Sequence, residues 1–299
     1  MQNSKFKNTT QNSKIEIFDL KDLRKLYTPS SDSHKGENGK LLIVGGSHLF
    51  HAASLWALNI ASRMVDMVFY SSVDENNEIV AKAKQEFRNG IVVPRGKIED
   101  YIQEADCILI GPGLPRPDGQ EVGDEDTKTL TEKLLAKYPD KKWVIDGGSL
   151  QVVAPEMIPR NSVITPHRAE FELLKSKIKD QKSKTQMKNL KLEEQVRMFA
   201  KEYGLIVLLK GEKDIVCSPT ECVVIEGGNA GMTKGGTGDV LAGLVAALNC
   251  KNDPFLAATA GSCINKKAGE SLFEKNGYNF NSSDLADEIP LVMKRLRGF

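Results

Sequence analysis

Short apolar runs, each closed by glycine and separated by helical spacing, recur along this chain and leave few folds open. Residues 41–44 end in Gly45-Gly46-Ser47, Cys107–Ile110 in Gly111-Pro112-Gly113, and 143–146 in Gly147-Gly148. Residues 67–70, 162–165 and 205–209 are further runs of the same kind. Runs this short and this apolar suit strands buried on both faces. Between them, residues 52–65 place Leu55, Leu58, Ala61, Ser62 and Val65 on one stripe, and 127–138 reads as another helix. Strands separated by helices imply βαβ crossovers and a mostly parallel sheet covered on both sides. Asp214–Cys217 and Cys222–Ile225, joined by Ser218-Pro219-Thr220-Glu221, read instead as an antiparallel hairpin added at one edge. The expected class is a three-layer α/β/α sandwich. In open sheets of this type ligands bind beyond the carboxyl ends of the strands, so the glycine turns are expected to line one cleft.

Composition narrows the partners. Of 299 residues, 40% are hydrophobic, and 41 Lys+Arg against 40 Asp+Glu give a net charge of +1. With a mean hydropathy of -0.33, the chain reads as a soluble globular protein. A general nucleic-acid binder would need a basic excess, and the lysine-rich stretch 175–191 reads as a solvated helix and loop. No apolar run is long enough to span a membrane. The polar first fourteen residues lack the apolar core of a signal peptide and read as a disordered tail. The remainder, 15–299, is expected to form one domain, and the protein to be cytoplasmic. Five cysteines (Cys107, Cys217, Cys222, Cys250, Cys263) without a CxxC pair are expected to be reduced, mostly buried thiols; Cys217 and Cys222 are the pair that a hairpin could join. With only four histidines (His34, His48, His51, His167), no structural zinc site is expected.

The chemistry concentrates in Asn229-Ala230-Gly231-Met232-Thr233-Lys234-Gly235-Gly236-Thr237-Gly238-Asp239. Val240, Leu241, Leu244, Val245 and Leu248 follow at helical spacing, so a buried helix begins at or just after Gly238. Its free N–H groups and positive dipole end point into the loop, and Gly235, Gly236 and Gly238 let the backbone approach an anion. Asp239 either caps this helix or takes a proton from a hydroxyl beside a bound phosphate. A cap does not need three preceding glycines and would compete with the phosphate, which favours the catalytic role. The loop is not a Walker A loop, since Lys234 precedes the glycines, nor a dinucleotide fingerprint, since it follows no early strand.

Gly-Gly-Thr-Gly-Asp followed by Val-Leu-Ala-Gly resembles the C-terminal signature of the NAD(P)H-hydrate dehydratase family, a branch of the ribokinase-like superfamily. Other motifs match in order: Lys35 and Gly39-Lys40 leading to Gly45-Gly46-Ser47, Gly111-Pro112-Gly113-Leu114, Val144-Ile145-Asp146-Gly147, Thr165-Pro166-His167 with Glu170, and Leu209-Lys210-Gly211. The likeness spans roughly residues 35–261. It implies a ribokinase-like fold and the repair of hydrated NADH and NADPH: ADP or ATP phosphorylates the stray ring hydroxyl, and loss of phosphate restores the double bond. By the same likeness, substrate contacts fall on Ala53, Gly113, His167 and Asp239. Nucleotide contacts fall on Lys210, Gly211, Glu212, Lys213, Asp214 and Gly238, and the phosphate loop comprises Gly235, Gly236, Thr237 and Gly238. ADP is the expected co-substrate, with Mg2+ as counter-ion on ligands the sequence does not identify. A homotetramer is implied, as is a separate NAD(P)H-hydrate epimerase in the same pathway.

Two features depart from the family pattern. The usual glycine-alanine pair after the first motif is Ala52-Ala53, flanked by His48 and His51, whose roles stay open. The segment before Lys35 is too short for the epimerase domain many relatives carry, so a stand-alone dehydratase is expected. His167 also reads as a surface cap of the helix after it, and Lys210 as a solvated strand end. The rivals are a small-molecule kinase of the same fold, acting on a sugar, thiazole or pyrimidine hydroxyl, and a non-catalytic nucleotide sensor. Thr165-Pro166-His167 and Gly111-Pro112-Gly113-Leu114 weigh against the first, and Asp239 against the second.

Overall fold

The computed structural model describes residues 15–82, 90–116 and 126–298; the segment 1–14, expected to be a tail, lies outside them. The chain opens with β1 (Glu16–Ile17), β2 (Lys40–Val44), α1 (His51–Ala61), β3 (Met67–Ser71), α2 (Asp74–Lys82) and β4 (Ile91–Val92). It continues through α3 (Ile98–Glu104), β5 (Cys107–Ile110), α4 (Thr127–Lys137), β6 (Lys142–Ile145), α5 (Gly147–Val152) and β7 (Val163–Ile164). Then come α6 (Arg168–Ser176), α7 (Gln181–Lys188), α8 (Leu192–Tyr203), β8 (Ile206–Leu209), β9 (Asp214–Cys217) and β10 (Cys222–Ile225). Three helices close the chain: α9 (Thr237–Lys251), α10 (Pro254–Asn276) and α11 (Ser282–Arg297).

The strands form one ten-stranded sheet in the order β1-β10-β9-β8-β7-β6-β5-β2-β3-β4. All pairings are parallel except those of β9, which runs antiparallel to β8 and β10. The mostly parallel sheet with an antiparallel hairpin toward one side is the expected architecture. The hairpin is not outermost, however, because β1 pairs in parallel beyond β10. β1 and β4 are two residues long and exposed or half-buried at the sheet's edges, so, unlike the equally short but buried β7, they lie in no strongly apolar run.

Alternation along the buried strands splits the core in two. Leu41, Ile43, Cys107, Leu109 and Val144 face the layer of α1, α9, α10 and α11, whereas Leu42, Val44, Ile108, Ile110, Trp143 and Ile145 face the layer that includes α4, α6 and α8. That is the period-two consequence of a strand covered on both sides. α9 is buried around nearly its whole circumference. It approaches α1 so closely that a Cβ on Gly243 would lie 2.7 Å from Ala57 Cα. α1 ends at Ala61, four residues earlier than the apolar stripe suggests. There the N–H groups of Arg63 and Met64 turn to carbonyls three residues back, which releases the chain toward β3.

The cysteine expectation needs one correction. Cys217 and Cys222 are joined by a disulfide, while Cys107, Cys250 and Cys263 are free and buried. The two stand directly opposite one another in the hairpin register, with Cα atoms 4.1 Å apart. No described helix is long and apolar enough to cross a membrane.

The parallel order gathers the carboxyl ends of β2, β5, β6, β7 and β8 along one rim. Gly46 N–H donates to Pro112 O at 2.8 Å, and a Cβ on Gly111 would collide with Asp146 O at 1.8 Å. His167 and Lys210 form a parallel bridge just past β7 and β8. The glycine turns are thus in mutual contact.

Candidate active site

The loop before α9 sorts its glycines into two roles. Gly236 is the N-cap, with φ of 94°; a Cβ there would lie 2.3 Å from the Trp56 ring. It is glycine for backbone and packing reasons. Gly235 has open space where a side chain would begin, and Gly238 would meet only Lys210 Nζ at 3.4 Å. Those two leave the backbone approachable. The Thr237 hydroxyl donates to Met232 O (2.6 Å) and Lys234 O (2.9 Å), so it pins the loop while Thr237 borders a cavity beside Lys210. Lys234 Nζ donates to Phe280 O at 2.6 Å and to Tyr278 O, and Ser282 Oγ to Gly235 O at 2.7 Å. The first i to i−4 bond of α9 runs from Val240 N–H to Gly236 O. The Gly238 and Asp239 amides therefore lie outside the helical ladder, at the positive end of the dipole.

Asp239 is the third residue of α9 and does not cap it. Burial first, and the negative charge of Asp146 second, push its carboxyl up to about 7, against the pull of the Lys210 ammonium. Lys210 Nζ bonds Asp146 Oδ1 at 2.9 Å, and Thr165 Oγ1 donates to the same oxygen at 2.7 Å. Burial acts to lower the Lys210 pKa, but Asp146 and Glu170 outweigh it, so this ammonium is held above its ordinary value. In the sequence Asp146 belongs to a family motif without a role of its own. The signal that could have found it is a carboxylate ending an apolar strand run and followed by two glycines. Lys210 is not a solvated strand end; it is the cation around which Asp146, Glu170 and Asp239 gather.

Beside this cluster lies a cavity of about 680 Å³, whose wall includes His167, Lys210, Gly228, Met232, Gly238 and Asn265. Its size suits a small-molecule site. Gly211, Glu212 and Asp214 also line it, whereas Lys213, absent from that wall, turns to Glu226 Oε1 at 2.6 Å. The Asp214 carboxylate is occupied: Oδ1 accepts Gly211 N–H at 2.9 Å and Oδ2 accepts Ser262 Oγ at 2.7 Å. Lys266 Nζ completes the staple, reaching Gly211 O (3.1 Å), Glu212 O (2.9 Å), Gly227 O (3.3 Å) and Asp214 Oδ1 (3.3 Å). Asp214 and Lys266 thus shape the 210–214 turn from beneath. The sequence does not single out Lys266, because a lysine in a helical run reads as solvated, yet it is only 6% exposed.

The other residues named from the sequence fall around this corner. A Cβ on Gly113 would lie 3.1 Å from Ala53 Cβ, so these two adjoin. Both stand on the α1 side of the loop, where Trp56 meets Gly236. His167 caps α6, its Nδ1 accepting Glu170 N–H at 3.2 Å while Glu170 Oε2 accepts His167 N–H at 2.9 Å. It also borders the cavity, so the capping and cleft readings hold together. His48 pairs with Glu75 at 3.4 Å, and His51 is the exposed first residue of α1. A second concavity, of about 900 Å³, is bounded by Lys142 and Ile206, at the opposite end of the strands from Asp239.

A family model described as NAD(P)H-hydrate dehydratase matches residues 41–291. An ADP-dependent (S)-NAD(P)H-hydrate dehydratase of Nitrosopumilus maritimus is 36% identical over 290 residues, covering 91% of this chain and 95% of its own. A bifunctional NAD(P)H-hydrate repair enzyme of Methanocaldococcus jannaschii is 35% identical over 286 residues; 91% of this chain spans 52% of that protein. Among solved structures, a ribokinase-like superfamily protein of Enterococcus faecalis aligns with a TM-score of 0.77 at 22% identity, covering 99% of each chain. The ADP/ATP-dependent NAD(P)H-hydrate dehydratase of Bacillus subtilis, co-crystallised with ATP/Mg2+, aligns with a TM-score of 0.75 at 21% identity, covering 95% of this chain and 99% of its own. The last two establish the fold as ribokinase-like.

Proposed function

Because the chain belongs to the NAD(P)H-hydrate dehydratase family, we propose that it repairs hydrated NADH and NADPH as an ADP-dependent (S)-NAD(P)H-hydrate dehydratase. The observation that carries this reading is Asp239, a carboxyl held near neutrality at a helix N-terminus beside Lys210. A base poised near the working pH is what removal of a proton from an alcohol calls for. Asp239 takes the proton of the stray ring hydroxyl as that oxygen attacks the terminal phosphorus of ADP, and AMP departs. Lys210 and the Gly238 amide stabilise the charge on the transferred group. Phosphorylation turns hydroxide into a good leaving group; departure of phosphate from that carbon and of a proton from the adjacent ring carbon restores the ring double bond. The nucleotide occupies the cavity of Lys210, Gly211 and Glu212; the nicotinamide lies toward Ala53 and Gly113, with His167 at the border.

Asp146, Glu170 and Asp239 set three carboxylates around one ammonium, a balance that would repel bare phosphates and so fits a nucleotide arriving with Mg2+. The ion would supply charge neutralisation on the phosphates. The reading also includes a cytoplasmic homotetramer and a separate epimerase that supplies the (S) form.

The deciding experiment incubates the protein with hydrated NADH and either ADP or ATP and follows recovery of dihydronicotinamide absorbance. Recovery with ADP is expected. No recovery with either nucleotide, together with phosphorylation of a sugar or vitamin-precursor hydroxyl, would establish a kinase instead.

Gly238→Ala tests the anion corner separately. The new methyl meets only Lys210 Nζ at 3.4 Å, and alanine is the better helix former by about 1 kcal/mol. Melting temperature should hold or rise while ADP affinity falls about tenfold or more, given the charge-assisted contacts at stake. Calorimetric titration with ADP, paired with a melting curve, measures both.

A further inference from the structure

The face that α2 buries is polar. Among the described residues of this helix the buried ones are Asn76, at 2% exposure, Asn77 and Val80. Asparagine is a poor helix former, and a buried amide costs stability unless its bonds are made. Both amides make theirs, with different targets. The Asn77 side chain bonds the Ser72 backbone, its Oδ1 accepting the N–H at 3.1 Å and its Nδ2 donating to the carbonyl at 3.0 Å. Those bonds stay within the connection from β3 to α2. Asn76 Nδ2 donates to Ser72 Oγ at 3.0 Å, but it also leaves that connection and donates to the Ser47 carbonyl at 2.8 Å.

Ser47 lies in the turn from β2 to α1, and the turn carries that grip to the cleft. Ser47 is 1% exposed, so a carbonyl released by Asn76 would stay out of reach of water. Ser47 Oγ accepts Phe50 N–H at 3.1 Å. A Cβ on Gly113 would strike the Phe50 carbonyl and lie 3.1 Å from Ala53 Cβ. On the other side of Ser47, a Cβ on Gly46 would meet Asn76 Nδ2 at 2.7 Å. Asn76 therefore underlies the turn that backs the Gly113 and Ala53 wall. Lys210 and Gly211 follow β8, with β5, β6 and β7 between it and β2, and none of these bonds extends that far.

We infer that Asn76 is a positioning residue for the hydrated dinucleotide. By holding the Ser47 carbonyl it fixes the wall against which the ring is bound, and it has no part in holding ADP. The inference rests on the proposed placing of ring and nucleotide on separate walls. Steady-state kinetics of the intact protein test it, with hydrated NADH and ADP varied in turn. Asn76→Ala is expected to raise KM for hydrated NADH about tenfold, the scale of one lost buried hydrogen bond. KM for ADP should stay within about twofold and kcat within about threefold, because a binding wall serves ground and transition states alike. Asn77→Ala is the matched control. It removes the same amide from the same helix, should lower the melting temperature, and should leave both KM values in place. If a melting curve shows Asn76→Ala misfolded, Asn76→Ser, which keeps a polar group there, is measured in its place. An unchanged KM for hydrated NADH in the folded variant overturns the proposal. So does an equal rise in both KM values, or the same rise in Asn77→Ala. If the unaltered protein binds ADP and does not turn over hydrated NADH, the proposed function falls and takes this inference with it.

Discussion

Asp239→Asn is expected to lower turnover of hydrated NADH by about a thousandfold or more, within the range general-base catalysis supplies, while ADP affinity changes only a few-fold. Asparagine keeps the shape of the side chain and loses the basicity, so binding and chemistry should separate. The same substitution is expected to stabilise the fold at alkaline pH. With its pKa raised from 3.8 to about 7, Asp239 binds a proton more tightly in the folded than in the unfolded chain. Folding stability from this group is complete below about pH 4 and declines as pH rises to about 7. At 1.36 kcal/mol per pH unit, the ionised side chain costs the native state about 2–4 kcal/mol at pH 8. The asparagine variant escapes that cost, so it should unfold at higher denaturant at pH 8 and show little advantage at pH 4. In the unaltered enzyme kcat/KM should fall tenfold per unit below about pH 7, since the base must be deprotonated. A pH-independent rate between 5 and 8, or an asparagine variant that turns over normally, would remove Asp239 from the role.

Lys210→Met should damage both stability and activity, and the two losses can be told apart. Lys210 supplies the ammonium bonded to Asp146, whose side chain is 5% exposed. Removing one partner of a buried pair strands the other charge, at about 3–5 kcal/mol. Turnover should fall with it, because the cation proposed to meet the transferred phosphoryl is gone. Adding Asp146→Asn removes the stranded charge, and Thr165 Oγ1 can still donate to the amide oxygen at that place. The double variant is therefore expected to regain most of the stability and none of the activity. Denaturant unfolding of the two singles and the double closes the cycle. If the double is no more stable than Lys210→Met, the pair is not what that lysine neutralises.

Much of the framework is legible in the order of residues. Residues 41–44, Cys107–Ile110 and 143–146 are strands or nearly so, and both arms of the hairpin match to the residue. α9 starts at Thr237, within one residue of where its apolar spacing puts it. These features are local: apolar runs, turn glycines and helical spacing act on neighbouring residues, and a sequence displays neighbours. β1 and β4 escape because they are exposed or half-buried edge strands outside the apolar runs, whereas the equally short β7 is buried, and the bond between Cys217 and Cys222 escapes because register, not spacing, decides it.

The site divides in the same way. Asp239 and the glycines around it stand out because one short segment carries a loop, a helix start and a carboxylate together. Their division of labour does not: Gly236 is glycine because Trp56, far off in the chain, occupies the space beside it.

The string of residues alone dictates the strand-and-helix succession, the helix that presents its N-terminus to the loop, and the acid at that corner. Which charges meet is settled by the packed fold. Asp146 and Lys210 are 64 residues apart and share a hydrogen bond; Lys266 reaches 55 residues back to hold Gly211. A side chain's charge is written in its letter, but its pKa and its partner belong to the space it is folded into. Electrostatic energy depends on distance and solvation, and neither is a property of position along a chain.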